Sequence, residues 1–155
     1  MSRRRPQSGS AFAPALVLFA IMAAHALLET ARDALFLARL GPGRLAWAYL
    51  AIAATALVAV GLVRRWSGVR DPRRVLIGFL VAATAGTTVL AATLTIAPSI
   101  VFVLYVWTGL VATLVVPSFW LLVDHSLRVG DAKRMFGAIG AGGVLGALVG
   151  SAMAT

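Results

Sequence analysis

The chain has 155 residues, of which 61% are hydrophobic and only 12% are charged, and its mean hydropathy is +0.94. This composition excludes an ordinary water-soluble domain and makes the lipid bilayer the expected solvent. The lack of cysteine excludes disulfides, thiolate metal sites and cysteine nucleophiles. The net charge of +9 comes from basic residues between apolar stretches, which is typical of membrane topology rather than of nucleic-acid binding.

Five apolar stretches follow a basic tail at residues 1–10, and each approaches the ~20 residues that a helix needs to cross the hydrocarbon core. Unpaired backbone polar groups are costly in lipid, and the sequence has no strand-like alternation. We therefore expect an all-α, polytopic transmembrane helix bundle of about five spans within residues 11–155. The predicted spans are 11–31, 45–63, 75–97, 100–123 and 135–155, with a turn at Pro98 and Ser99 between the third and the fourth.

Lysine and arginine predict the orientation. Eleven of the fourteen lie within 1–10, 64–74 and 128–134, which become cytoplasmic if the N-terminus is inside. We expect a bacterial plasma (inner) membrane protein with a cytoplasmic N-terminus. Ala24-His25-Ala26 resembles a signal-peptide cleavage site, but four further spans favour a first transmembrane helix. The last span runs to Thr155 without a polar tail, so we expect the N-terminal part of a larger, truncated transporter.

The first span carries an unusual cluster of ionisable residues. His25, Glu29 and Arg32 lie at i, i+4 and i+7 and share one helix face, which Phe36 continues, while Asp33 lies at its edge. Ionisable groups within a span usually face the bundle interior or a wet cavity and mark a solute or proton path. We predict that all four ionisable residues bind or pass a solute. The alternative places Arg32 and Asp33 at the outer interface, with Arg32 snorkelling to water.

Charged residues also precede the last span. Lys133 and Arg134 follow Asp124 and Asp131 in a segment that is cytoplasmic in the predicted orientation. Their simplest role is topology. The alternative is gating, in which these cations pair with Asp124 or Asp131 in one state and separate in another. Trp120 suits an anchor at the cytoplasmic interface.

Small residues recur every four positions along the last span, at Gly142, Gly146 and Gly150. Such a stripe lets two helices approach closely, because no side chain separates their backbones. The pattern predicts a helix-packing surface.

Two segments resemble a known family. Residues 27–53, LLETARDALFLARLGPGRLAWAYLAIA, resemble the first-to-second helix region of the nucleotide transporter family, the ATP/ADP translocases, a major-facilitator-like group. Residues 119–150 are similar to the family's fourth-to-fifth helix segment. That second segment begins with a Phe-Trp pair and continues with Ala-Lys-Arg and an aromatic residue before a Gly-rich helix, here Phe119-Trp120, Ala132-Lys133-Arg134 and Phe136.

The resemblance implies a partial major-facilitator-like half, alternating access, ATP binding and ATP:ADP exchange. Arg32 takes the place of the family's basic residue, typically Lys, which is implicated in binding the anionic nucleotide. Arg keeps the charge and can bind phosphate through two donors, although it is not equivalent to Lys. Thr108 lies near the place where the family's exchangers carry an acid. We thus predict a secondary transporter for an anionic solute such as a nucleotide.

Two alternatives remain open: a transporter of the same fold for another solute, and a non-transport membrane domain that anchors or regulates a fused soluble module. We do not expect an enzyme, because His25 and His125 lie on opposite sides of the predicted membrane. No catalytic residue, metal site or cofactor is predicted. The expected partners are the lipid bilayer, an anionic small molecule, and the remaining transporter half or a second copy, with no nucleic acid.

Overall fold

The computed structural model describes residues 11–66, 71–97, 99–126 and 132–154. This part of the chain forms helices without strands, and five helices are long and apolar enough to cross a membrane. The predicted all-α fold class is confirmed. The helices are α1 (Phe12–Leu40), α2 (Leu45–Trp66), α3 (Pro72–Ala92), α4 (Ser99–Ser126) and α5 (Ala132–Met153).

Helix α1 continues well past the predicted end of the first span at residue 31. Its 29 residues correspond to roughly 43 Å, which exceeds the ~30 Å hydrocarbon core. The segment after Arg32 is rich in Ala, Leu and Arg, which are strong helix formers. The helix ends at Gly41, whose φ of 73° suits glycine, and Pro42–Arg44 then form a 3-10 turn. The polar cluster therefore lies inside a continuous helix.

Helix α3 has a capped start and an early end. The Asp71 side chain accepts a hydrogen bond from the Arg73 backbone N–H at 3.0 Å, and Pro72 occupies the first turn. The helix ends at Ala92, before the predicted limit of 97, and residues 93–96 form a turn. Helix α4 begins at Ser99, while Pro98 lies outside the described residues.

Helix α4 occupies the centre of the bundle. It packs against α1, α2 and α3, and its apolar segment is the most buried of the five. Two clusters of buried side chains surround it. One contains Leu18, Leu76, Val115, Phe119, Val123 and Ile139, and the other contains Phe36, Ala48, Val101 and Tyr105.

Helices α1 and α5 form the most extensive contact of the bundle. A Cβ atom added at Gly142 would lie 2.6 Å from the Ala15 carbonyl oxygen. Added at Gly146 or Gly150, it would collide with the carbonyl oxygen of Phe19 or Ala23, respectively. The small-residue stripe of α5 thus faces α1, and the two backbones touch.

Candidate functional site

The guanidinium of Arg32 lies inside the bundle, between α1 and α4. The residue is only 6% exposed, whereas Arg39, two turns further along α1, is exposed and donates to the Leu94 carbonyl at 2.9 Å. Arg32 therefore does not snorkel to the helix end in this structure. Helix α1 places it on the face toward α4, where Phe36 is also buried, one turn later.

All three guanidinium nitrogens of Arg32 have acceptors. Nη2 donates to Glu29 Oε1 at 2.9 Å and Nε donates to Asp33 Oδ1 at 3.2 Å. Nη1 donates to Thr108 Oγ1 at 2.8 Å and, at 3.4 Å, to the Tyr105 carbonyl oxygen. Two acceptors come from α1 and two from α4, so the guanidinium ties these helices together. A buried charge needs such pairing, because it has lost its water.

An aromatic ring completes the surroundings of Arg32. Its Cζ atom lies 4.4 Å from the ring centroid of Tyr105, which is a cation–π contact. The Tyr105 ring is held by Phe36, at a centroid distance of 4.6 Å, and its hydroxyl donates to the Tyr49 hydroxyl at 3.3 Å. Tyr105 is 1% exposed, so the ring has little freedom to move away.

Glu29 joins the arginine to a histidine. Its Oε1 accepts from Arg32, while its Oε2 lies 3.5 Å from His25 Nε2. The Glu29 side chain is 44% exposed and that of Asp33 is 47% exposed, in contrast to the buried Arg32. With His25 neutral, two carboxylates and one guanidinium leave the cluster with one net negative charge. Its carboxylates remain accessible at the edge of a buried cation.

A cavity of about 290 Å³ lies next to this cluster, between α1, α3 and α4. Its walls are mostly apolar, and its polar lining consists of one histidine and four threonines: His25, Thr84, Thr87, Thr88 and Thr108. His25 and Thr108 belong to both the cavity wall and the polar cluster, since they contact Glu29 and Arg32. The cavity thus meets the ion-paired arginine through two side chains.

The predicted residues of α1 come together, and α4 supplies partners that the sequence did not reveal. The helical spacing of His25, Glu29 and Arg32 was a sufficient signal for their shared face. Thr108 attracted notice only as a replacement for an acid. A polar side chain within a very apolar helix is the sequence signal that could have found it. Tyr105 was not predicted, since aromatic residues are common in apolar spans.

The predicted inner-loop site is only partly described. Asp124 is exposed on the last turns of α4. Lys133 and Arg134 lie in the first turn of α5, but their side chains and the whole of Asp131 lie outside the described residues. The gating pairs stay a prediction.

The predicted interfacial anchor, Trp120, is half-buried at the junction of α4 and α5. It packs edge-on against Phe119, with centroids 5.7 Å apart, and against Phe136 of α5 at 5.6 Å. The Phe-Trp pair and the aromatic residue of the segment 119–150 therefore contact each other.

Within the described residues, no group of three His, Asp or Glu side chains could hold a metal ion. No buried side-chain nitrogen or oxygen there lacks a hydrogen-bond partner. Neither family models, nor curated proteins, nor solved structures match the chain. The likeness to nucleotide transporters stays a prediction from the quoted residues.

Proposed function

We propose that the protein is a membrane secondary transporter for an anionic solute, and that Arg32 is the residue that binds the anion. One observation carries the proposal: the Arg32 guanidinium is buried inside an apolar bundle, paired with accessible carboxylates, beside a cavity. A charge within a span costs up to ~3 kcal/mol on insertion scales, the full value applying at its centre. An apolar side chain would avoid that cost, which favours a functional reason for the arginine.

The proposed mechanism is an exchange of partners. An anion that enters the cavity takes the place of Glu29 or Asp33 on Arg32, and the guanidinium offers it two parallel donors. Rearrangement of α1 against α4 then exposes the site to the other side of the membrane, as in alternating access. The chain acts with the remaining transporter half or a second copy. We place its N-terminus in the cytoplasm of a bacterial cell.

The resemblance in sequence favours a nucleotide as the anion. The cavity volume corresponds to roughly ten water molecules at ~30 Å³ each. In this conformation it has room for a small anion or for one portion of a nucleotide.

Uptake of radiolabelled ATP and inorganic phosphate by the complete protein in lipid vesicles tests the proposal. We expect Arg32→Ala to abolish uptake and Arg32→Lys to retain part of it, because Lys keeps the charge but not the two-donor geometry. Arg39→Ala is the matched control on the same helix, since Arg39 is exposed and bonds only to a carbonyl oxygen among the described contacts. Equal uptake by wild type and Arg32→Ala would remove Arg32 from the mechanism.

A second candidate is a transporter of this fold for another solute. Thr108, which bonds Arg32 where the resembling family carries an acid, favours it. Ligands that bind the folded protein raise its unfolding temperature. A solute other than a nucleotide that stabilises the protein, when ATP does not, would favour this candidate.

A further inference from the structure

We propose that His25 and Glu29 form a proton-binding site, and that a proton on Glu29 releases Arg32 to bind the anion. The inference rests on the proposed function and names its second cargo: one proton that travels with each anion.

Four of the five N–H donors of Arg32 already have acceptors. Glu29, Asp33, Thr108 and the Tyr105 carbonyl account for acceptors at Nη2, Nε and Nη1. Binding an anion through two parallel donors therefore requires one of these partners to leave. The two carboxylates also repel an incoming anion, because the cluster already carries one net negative charge.

Glu29 is the carboxylate partner of Arg32 that is linked to the cavity, through His25. Its bond to Arg32 is shorter than that of Asp33, at 2.9 Å against 3.2 Å, so neutralising Glu29 removes the closer of the two carboxylate charges. Its side chain is 44% exposed, so the other helices leave part of it uncovered. A proton on Glu29 removes its negative charge, and the ion pair becomes a hydrogen bond from the cation to a neutral carboxyl, which is weaker because the attraction between opposite charges is lost. Nη2 then becomes available to a competing anion.

His25 supplies the route for that proton. It lines the cavity, and its Nε2 lies 3.5 Å from Glu29 Oε2, the oxygen that does not bond Arg32. Asp33 has no such neighbour among the ion pairs of the cluster. A proton taken from cavity water by His25 passes to Glu29 Oε2, and His25 returns to its neutral form. One proton and one negative charge of the anion enter together, so the charge of the cluster is unchanged.

Among the described residues, the groups that face this site from other helices are tyrosines and threonines, so its carboxylates and its imidazole all come from α1. Helix α4 contributes Tyr105 and Thr108, and α2 contributes Tyr49 through its hydroxyl contact with Tyr105. Helix α3 contributes threonines of the cavity wall. Between Met135 and Met153, α5 has no titratable side chain.

The remaining charges of the described helices lie near helix ends. Asp124 and His125 are exposed on α4, at least sixteen residues or roughly 24 Å beyond Thr108. Arg73 and Arg74 are exposed at the start of α3, and Arg39 on α1 is turned to Leu94.

Infrared difference spectra between mildly alkaline and mildly acidic buffer test the proton site directly. The sample is the complete protein in lipid vesicles, without any anion cargo. We expect a protonated-carboxyl band in the wild type and in the control Asp33→Asn, and its loss in Glu29→Gln. We also expect His25→Gln to keep the band but to slow its appearance after a pH jump. A band that survives in Glu29→Gln, or that is missing from the wild type, would overturn the proposal.

Uptake of phosphate and ATP tests the coupling. We expect an inward proton gradient to accelerate wild-type uptake several-fold and to leave Glu29→Gln unaffected, because Gln mimics the protonated side chain. If the proton gradient has no effect on the rate of wild-type uptake, the proposed coupling is wrong, although the protein would still transport the anion. If the vesicles take up neither phosphate nor ATP, the proposed transport function is wrong. The infrared band would then be the measurement that supports or overturns the proton site.

Discussion

Arg32 on the first helix donates to Thr108 on the fourth across 2.8 Å, and this bond connects an ion-paired cluster to the wall of a cavity. Thr108 is 2% exposed and its hydroxyl also lies 3.0 Å from the Leu104 and Tyr105 carbonyl oxygens. The hydroxyl thus accepts from the cation and shares its one hydrogen between two helical carbonyls. Thr108 thus makes the shortest of the hydrogen bonds between Arg32 and α4.

Thr108→Val should destabilise the bundle. The substitution keeps the shape but removes the best acceptor of Nη1, which is then left with a carbonyl oxygen at 3.4 Å. Leaving a buried donor poorly satisfied costs about 1–3 kcal/mol. The free energy of unfolding in mixed detergent micelles measures this loss of stability. Thr113→Val is the control on the same helix, because Thr113 is exposed and bonds only to the Gly109 carbonyl in the described structure. Equal stability of both variants would contradict the role assigned to Thr108.

Phe36→Ala should disturb both stability and transport. Phe36 is fully buried and holds the Tyr105 ring over the guanidinium, at a centroid distance of 4.6 Å. Truncation of a buried phenylalanine costs about 3–5 kcal/mol, because a cavity remains. Denaturant-induced unfolding in micelles measures the loss of stability, and uptake by vesicles measures the effect on transport. Leu37→Ala, at the neighbouring position, is the control. Leu37 is 48% exposed, so its truncation should reduce the stability much less.

Gly146→Ala should loosen the contact between α1 and α5. The added Cβ would collide with the backbone of Phe19, which cannot rotate away as a side chain would. Overpacking of this kind costs about 1–3 kcal/mol. Gly140→Ala adds the same methyl group to the same helix where nothing lies within 4 Å, so it should be neutral or slightly stabilising. The thermal unfolding temperatures of the two variants test this prediction. A Gly146→Ala protein as stable as the wild type would contradict the close backbone contact.

Ala83→Phe should block solute binding without unfolding the protein. Ala83 lines the cavity between α1, α3 and α4, so a phenyl ring at this position occupies much of its volume. The preceding residue, Ala82, is exposed and is not part of the cavity wall, which makes Ala82→Phe the matched control. We expect uptake of radiolabelled phosphate or ATP to fall at least tenfold, equivalent to about 1.4 kcal/mol, only in Ala83→Phe. Similar uptake by both variants would remove this cavity from the solute path.

The secondary structure of this protein follows from local patterns. Runs of about twenty apolar residues require helices, because lipid offers no partner for backbone polar groups. Gly41 with Pro42, and Asp71 with Pro72, mark helix ends through their own backbone chemistry. The shared face of His25, Glu29 and Arg32 is likewise a property of one helix, since residues at i, i+4 and i+7 lie together in any α-helix.

Contacts between helices depend on which helix faces meet. Apolar spans resemble one another too closely in sequence to predict which faces those are. Only the tertiary structure placed α4 at the centre, so that Thr108 and Tyr105 meet Arg32 from 76 and 73 residues away. It also assigned α1 as the partner of the glycine stripe, a pattern that indicates a close neighbour without naming one. The sequence by itself thus determined five spans and the polar face of the first. The packing of α4 against that face decided that Arg32 is buried, since a single helix leaves every face exposed.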